Sequence, residues 1–158
     1  MESCDAAEVL RIYKEGIDSG QASFGTSIPE WAAWDASHLA KLRFVAVFND
    51  QIAGWVALSS VSSRCVYGGV AEVSVYIGEK FRGQGIGGKL LQLLIEESEK
   101  AGFWTLQAGA FSENISSIKL HEKCGFRIIG YREKIGEMNG LWRDMVLLEK
   151  RSKKVNYV

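Results

Sequence analysis

The stretch "RGQGIGGKLL", Arg82 to Leu91, places four glycines within residues 83–88, directly before an amphipathic segment. Glycines at this density let backbone N–H groups approach a phosphate at the N-terminus of a helix. The stretch satisfies three phosphate-binding patterns: G-x-G-x-x-G, most of G-x-x-x-x-G-K-[ST], and R-x-x-G-x-G. The chemistry that it predicts is therefore the binding of a diphosphate, and the surrounding residues must decide which ligand carries it.

Two of the three patterns lack a residue that their ligand requires. A P-loop needs Ser or Thr after the lysine to hold Mg²⁺, and that position is Leu90. A dinucleotide-binding fold needs an acid about 20 residues further on, and the next strand-like run, "FWTLQAGAF", contains none. A ligand-free turn is disfavoured because so many glycines cost conformational entropy. The third pattern, through Arg82, Gly85 and Gly87, remains.

Hydrophobic periodicity predicts the element order α-α-β-β-β-α-β-α-β-β, with the glycine stretch between the third strand and the third helix. Capping boxes at Asp5–Glu8 and Ser27–Glu30 predict where the first two helices begin. Hairpins are predicted at Asn49–Gln51 and at Asn139-Gly140. The fold class is α+β, with a mixed sheet of about six strands and about four flanking helices, and a parallel crossover around the glycine stretch.

Composition limits the possible partners. The 158 residues carry 19 basic and 19 acidic side chains, which provides no broad attraction for nucleic acid or a membrane surface. We expect one domain over residues 1–150 and a basic tail over 151–158. Cys4, Cys65 and Cys124 form no CxxC pair, so we expect no metal site and a reducing compartment. The first residues do not look like a signal peptide, so we expect a cytoplasmic location.

The flanking segments resemble those of the GNAT N-acetyltransferase superfamily. "VSVYI" precedes the glycine stretch and "NISSIKLHEKCGF" follows it, in the order and spacing of that family. The likeness covers nearly the whole chain and is greatest to the phosphinothricin and methionine sulfoximine acetyltransferase branch, through "IYKEGI", "ASFGT", "YGGVAEVSVYI", "GFWTLQAGAF", "LHEKCGFR" and "GLWRD". It implies the acyl-CoA N-acyltransferase fold. The strand that opens the family's fold is missing or truncated here.

The resemblance implies acetyl-CoA as the cofactor. The diphosphate would bind the amides of residues 83–88, with added positive potential from Arg82, and the pantetheine arm would pair with the backbone of the third strand. Asn114 would contact a cofactor amide, although it also suits the N-cap of the next helix, and the two roles are compatible. The expected cofactor-binding residues are Val75, Tyr76, Ile77, Arg82, Gly83, Gln84, Gly85, Ile86, Gly87, Gly88, Asn114 and Ser117.

Two residues are candidates for the proton transfers. Glu72 is a carboxylate in an otherwise apolar strand, where burial without purpose is costly, and the branch uses a glutamate there as general base. The alternative is an outward-facing residue of an alternating strand. His121 stands where many family members carry a tyrosine acid, and a histidine can protonate a thiolate; the alternative is a packing residue. The assignment of acid and base between the two stays open.

The amine site is expected to include an arginine able to grip a carboxylate or phosphinate in a bidentate way, Arg64, although an exposed loop arginine is the alternative. The expected substrate-binding residues are Phe24, Arg64, Tyr67, Glu72, Val73, Ser74 and Arg143. The sequence thus predicts direct acetylation of the α-amine of a small amino acid or analogue, of the phosphinothricin or methionine sulfoximine or sulfone type. A homodimer is implied by the resemblance.

Two alternatives to this function are a protein N-terminal acetyltransferase and a non-catalytic acyl-CoA-binding module. The first needs an open groove for a peptide, whereas the aromatic segment "ASFGTSIPEW" favours a closed small pocket. The second is disfavoured by the presence of both Glu72 and His121.

Overall fold

The computed structural model describes residues 1–156 and confirms the predicted order of elements. The helices are α1 (Ala6–Asp18), α2 (Trp31–Ser37), α3 (Ile86–Lys100) and α4 (Ile115–Lys123). The strands are β1 (Arg43–Phe48), β2 (Gln51–Ser60), β3 (Val70–Ile77), β4 (Thr105–Phe111), β5 (Arg127–Met138) and β6 (Leu141–Arg151). Short 3₁₀ turns cover Ser3–Asp5, Cys65–Tyr67 and Glu79–Phe81.

The six strands form one mixed sheet in the order β1-β2-β3-β4-β6-β5. All neighbours are antiparallel except β3 and β4. These two pair through only three residue pairs, the last of which is Glu72 with Gln107. Both strands continue beyond it, to Ile77 and Phe111, but β3 then pairs only with β2 and β4 only with β6. The sheet is therefore split between its two central strands from Glu72 onward.

Helices cover the two faces of the sheet differently. On one face α3 and α4 pack against the main core, which includes Val73 and Leu106. On the other face α1 and α2 pack against Trp55 of β2 and Tyr76 of β3. Because side chains alternate along a strand, Glu72 shares the α1/α2 face with Tyr76, and Val73 does not.

Local turn chemistry explains both hairpins. Asn49 and Asp50 have φ of 49° and 57°, and Asn139 and Gly140 have φ of 54° and 79°. Two successive residues with positive φ are the backbone that a two-residue hairpin needs. In β5 the pairing with β6 also shifts register between Arg132 and Gly136, so this strand bulges before its last turn.

The predicted capping boxes are wrong in detail. Asp5 makes no side-chain capping hydrogen bond to α1. The N-cap residue of α2 is Glu30 and not Ser27, and it makes no side-chain capping hydrogen bond either. The Asp5 carboxylate instead accepts the backbone N–H of Glu2 at 2.7 Å, one turn earlier. Helices α1 and α2 form without these caps because both are held by burial of one face against the sheet.

Both ends of the described chain pack on the domain. No strand precedes α1 within residues 1–156, as expected, and the Met1 ammonium donates to the Arg43 carbonyl on edge strand β1 at 3.4 Å. Strand β6 extends to Arg151, and Ser152 is buried. The packed structure thus reaches into the predicted tail, whose last two positions lie outside the described residues. No helix among residues 1–156 is long and apolar enough to cross a membrane.

Candidate active site

The glycine stretch is a turn that leads directly into α3. Gly83 and Gly85 have φ of +76° and +77°, a conformation that other residues rarely adopt. A Cβ atom at either position would meet nothing within 4 Å, so the bare backbone faces open space. Both glycines are therefore explained by backbone conformation and by an outer surface that is free for a ligand.

The amides of this turn are free to bind an anion. Within residues 1–156, the N–H groups of residues 83–88 meet no protein acceptor, and the first helical bond runs from Lys89 N–H to the Gly85 carbonyl at 3.2 Å. The positive end of the α3 dipole lies at the same place. Arg82 is exposed beside it, with Nε donating to the Ile77 carbonyl at 3.3 Å. This arrangement fits the diphosphate of a nucleotide cofactor.

Glu72 lies on the α1/α2 face at the last residue pair before the split, between Ser59 of β2 and Gln107 of β4. Its side chain is exposed, so the argument from costly burial was wrong, and the outward-facing alternative describes its position. An accessible carboxylate is nevertheless what a base for an incoming amine requires. Ser74, two residues on, is half-buried on the same face, whereas the Val73 side chain is buried in the core and can offer the site only its backbone.

His121 is one of two buried residues of α4, with 3% of its surface exposed. Its Nδ1 lies 2.8 Å from the Ser117 carbonyl. A carbonyl can only accept, so Nδ1 carries the proton and the Nε2 lone pair is free in the neutral ring. Nε2 is buried and has no hydrogen-bond partner in the described chain. Burial lowers the pKa of His121, although the Ser117 carbonyl opposes this by favouring the charged ring.

Two of the predicted site residues, Asn114 and Tyr76, hold the loop between α1 and α2, residues 19–30. Asn114 caps α4 through Oδ1, which accepts the Ser117 N–H at 3.1 Å, and its Nδ2 donates to the Gln21 carbonyl at 3.0 Å. The Tyr76 hydroxyl donates to the Ala22 carbonyl at 3.2 Å. The N-cap interpretation of Asn114 is thus confirmed, and these long-range contacts to the loop were not predicted.

Arg143 is a buried wall residue rather than an open ligand group. It is 6% exposed; Nε donates to Glu113 at 2.8 Å and Nη1 to the Gly20 carbonyl at 2.9 Å. Its guanidinium also lies over the Phe111 ring, 4.1 Å from the centroid. Phe24 of the loop packs edge-on against the same ring at 4.8 Å. The structure therefore brings Arg143 and Phe24 together at the end of β4.

Arg64 directly precedes the exposed 3₁₀ turn before β3, and Tyr67 is the last residue of that turn. The Arg64 guanidinium lies 5.8 Å from the Tyr67 ring centroid, and within residues 1–156 it has no ion pair. Tyr67 is 45% exposed. Both side chains are thus exposed in the segment that leads into β3.

Two other features do not belong to this site. A cavity of about 590 Å³ lies between α1 and the Glu79–Phe81 turn, and it contains neither Glu72 nor His121. Cys124 is half-buried with Sγ 3.9 Å from the Gly88 carbonyl, and burial raises the pKa of its thiol. A protonated thiol is a weak nucleophile.

The comparisons with known proteins agree with this geometry. A methionine sulfoximine/methionine sulfone acetyltransferase of Salmonella typhimurium is 31% identical over 153 residues, 94% of this chain and 90% of the relative. The crystal structure of a GNAT superfamily phosphinothricin acetyltransferase from Sinorhizobium meliloti in complex with AcCoA is 26% identical, with a TM-score of 0.91 over 100% of this chain and 89% of that chain. The crystal structure of a ribosomal-protein-alanine N-acetyltransferase from Brucella melitensis is 26% identical in sequence. Its TM-score is 0.89 over 96% of this chain and 97% of that chain.

The fold and its relatives define an N-acetyltransferase. The sequence matches the Acetyltransferase (GNAT) family over residues 10–126, and the chain belongs to that family. Its cofactor is acetyl-CoA, consistent with the free amides of residues 83–88.

The buried position of His121 predicts its titration. In a His38→Gln variant His121 is the remaining histidine of the sequence. We expect its ring to titrate below the ordinary pKa of 6.5, with the proton on Nδ1 at pH 7.5. Imidazole ¹⁵N chemical shifts report both the pKa and the tautomer of His121. A titration midpoint at or above pH 6.5 would show that burial does not lower this pKa. As the pH falls, His121 takes up a proton in the unfolded chain at a higher pH than in the folded protein. Acidification below pH 6.5 should therefore lower the free energy of unfolding more in His38→Gln than in His38→Gln/His121→Gln.

Proposed function

We propose that this protein acetylates the α-amine of a small amino acid or amino-acid analogue, of the methionine sulfoximine, methionine sulfone or phosphinothricin type. The observation that carries the proposal is the position of Glu72, an accessible carboxylate at the last residue pair before the sheet splits. Relatives named for these substrates, at 31% and 32% identity over most of the chain, support the substrate class.

The cofactor would lie along β3 with its diphosphate on the amides of residues 83–88. Strand β3 lacks a partner on the β4 side beyond Glu72. The backbone of Val75 and the N–H of Ile77 face that side and would pair with an extended ligand, whereas the Tyr76 backbone between them faces Trp55 of β2. Arg82 adds positive charge near the diphosphate. Asn114 and Ser117 flank the start of α4, where Asn114 already uses both side-chain ends within the protein.

When bound, acetyl-CoA supplies an acetyl thioester, and its transfer to an ammonium removes two protons from nitrogen, one of which ends on the thiol product. Glu72 would take the first proton, directly or through water, because its carboxylate is open to the incoming ammonium. His121 would accept the second at Nε2, the free lone pair of its neutral ring. Burial disfavours the resulting imidazolium, so the ring gives this proton up readily. His121 is then a proton carrier, a base before it is an acid.

The proposed amine site would run along β4 from Glu72 toward Phe24. Along β4, Gln107 opposite Glu72 and Phe111 under Phe24 are separated by about 13 Å at roughly 3.3 Å per residue. Gly109 lies midway, and the Met145 side chain of β6 lies over it, 2.6 Å from where a Cβ atom would stand. Arg64, free of ion pairs within residues 1–156, would bind the substrate's carboxylate or phosphinate.

We infer direct transfer from cofactor to amine, without a covalent enzyme intermediate. The one half-buried cysteine, Cys124, has a thiol whose pKa is raised by burial, so it stays protonated. All three cysteines are free, which supports work in a reducing compartment such as the cytoplasm.

A protein N-terminal acetyltransferase is the second candidate, because the Brucella melitensis neighbour is named for ribosomal-protein alanine. Against it stands the 19–30 loop, which is held over the end of the split by Tyr76, Asn114 and Arg143 and leaves less room for a peptide. Release of free thiol from acetyl-CoA, measured with methionine sulfone, methionine sulfoximine, phosphinothricin and an alanine-starting peptide, separates the two. Exclusive turnover of the peptide would overturn the small-amine proposal.

Replacing Glu72 by Gln should remove the base without changing the shape of the site. We expect kcat/KM for methionine sulfone to fall by about 10²–10⁴-fold, with unchanged affinity for coenzyme A. Glu122→Gln, an exposed glutamate of α4, is the matched control and should retain its rate. Full activity of Glu72→Gln would show that another group accepts the proton.

Two glycines with similar backbone lie at opposite ends of α3 and allow a paired test. Gly85 and Gly102 have φ of +77° and +89°, and a Cβ at either would meet nothing within 4 Å. Alanine should therefore destabilise both variants by about 1–2 kcal/mol. Only Gly85→Ala should also weaken coenzyme A binding, by at least about tenfold, since it alone lies in the diphosphate turn. Calorimetric titration with coenzyme A decides, and equal affinities would place the cofactor elsewhere.

We propose that the homodimer forms through the β5–β6 hairpin. Ile128, Ile129, Tyr131, Ile135, Leu141 and Trp142 are each more than 40% exposed, and β5 is the outer strand of the sheet. Such an apolar edge is typical of an interface. Light scattering after size exclusion should give twice the 17.5 kDa chain mass. Trp142→Glu should give a monomer, whereas Val47→Glu at the opposite edge should not; a monomeric parent protein would refute the proposal.

A further inference from the structure

Three successive carbonyls of the 19–30 loop accept hydrogen bonds from three side chains that are distant in sequence. Arg143 Nη1 donates to Gly20 at 2.9 Å and Asn114 Nδ2 to Gln21 at 3.0 Å. The Tyr76 hydroxyl donates to Ala22 at 3.2 Å. A loop without secondary structure gains its position from such partners.

The three donors come from both sides of the split sheet. Tyr76 projects from β3, while Asn114 begins α4 directly after β4, and Arg143 lies on β6 beside β4. Residues 20–22 therefore bridge the two halves of the sheet where β3 and β4 no longer pair.

Each donor is itself fixed by rigid structure. The Tyr76 ring stacks on buried Trp55 at 4.7 Å. Asn114 is the N-cap of α4. Arg143 is held by Glu113 and lies over Phe111. The loop is thus positioned by groups with little freedom of their own, which is the requirement for a precise site wall.

The bridge determines where Phe24 lies. Two residues after Ala22, the Phe24 ring packs against Phe111 and covers the bare backbone of Gly136, where an added Cβ would approach the ring to 2.7 Å. Loss of any of the three hydrogen bonds would free the segment that carries this ring, and the ring closes the end of the amine site opposite Glu72.

We propose that Tyr76, Asn114 and Arg143 are positioning residues that hold residues 20–22 across the split and thereby set Phe24 as the end wall of the amine site. The positioning role rests on the proposed function, because that function identifies the amine site. The hydrogen-bonded bridge across the split does not depend on it. Arg143 thus acts on the substrate through the loop and not as its ligand.

Tyr76→Phe is the most conservative probe, because it removes one oxygen and keeps the stacked ring. One hydrogen bond, at about 1 kcal/mol, corresponds to about a fivefold change in a local opening equilibrium. Chymotrypsin cleaves after aromatic residues, and Phe24 lies in the loop while Tyr67 lies in an exposed turn that serves as internal reference. We expect cleavage after Phe24, relative to cleavage after Tyr67, to rise about fivefold in Tyr76→Phe and further in Arg143→Gln.

The matched control is Tyr131→Phe, which also loses a tyrosine hydrogen bond, to Asp144, but touches none of the three carbonyls. Its cleavage ratio should equal that of the parent protein. Asn114→Asp tests the second hydrogen bond of the bridge. It keeps the oxygen that caps α4 and loses the Nδ2 donor to the Gln21 carbonyl. Parent-like ratios in Tyr76→Phe, Asn114→Asp and Arg143→Gln would overturn the bridge, and this arm needs no enzyme activity.

Kinetics test the positioning role separately. In Tyr76→Phe we expect KM for methionine sulfone to rise about three- to tenfold, with KM for acetyl-CoA and the thermal midpoint unchanged. A merely structural role would lower the midpoint or move both KM values together. An unchanged amine KM beside faster cleavage after Phe24 would overturn the positioning role. If the parent acetylates no small amine, the proposed function fails, and the cleavage ratios still decide whether the bridge exists.

Discussion

The pairing of β3 with β4 ends after Glu72 and Gln107, and the rest of the site depends on that constraint. Two parallel strands that stop pairing leave backbone groups that need other partners. Beyond the split, β3 stays paired with β2 and β4 stays paired with β6, so both halves of the sheet keep their place against the core. The glycine turn, α4 and the 19–30 loop all lie around this opening, and its unpaired β3 edge is where the proposed cofactor path runs.

The two residues of the proposed proton transfers lie in different environments. Glu72 is on the α1/α2 face and is accessible to solvent, whereas His121 is 3% exposed on a helix that packs against the other face. Burial disfavours the charged imidazole and lowers the pKa of His121, whereas the Glu72 carboxylate is open to an incoming ammonium. The proposed division of roles between the two residues rests on this difference in burial.

Local and periodic features could be predicted from the sequence, and contacts between distant segments could not. The element order, both hairpins and the N-cap at Asn114 follow from patterns within a few residues, and all are present. The capping boxes failed because a matching spacing of side chains does not fix where a helix packed on a sheet begins. Arg143 was expected in the site, but its bond to the Gly20 carbonyl spans more than a hundred positions and leaves no signature in either segment. The exposure of Glu72 was missed because an apolar strand does not reveal which of its faces is covered.

The bulge in β5 gives this design a further property. Register shifts between Arg132 and Gly136, and the last residues of the strand then bring the bare backbone of Gly136 beneath Phe24. The bulge lies on the outer strand β5, two strands away from β4 and three from β3, which leads into the glycine turn. In the proposed site, insertions, deletions or larger residues in this segment would change the size of the amine that is accepted while leaving the turn at residues 83–88 intact. The acceptor end of the proposed site is thus shaped by the rim of one hairpin, on a different part of the sheet from the donor end.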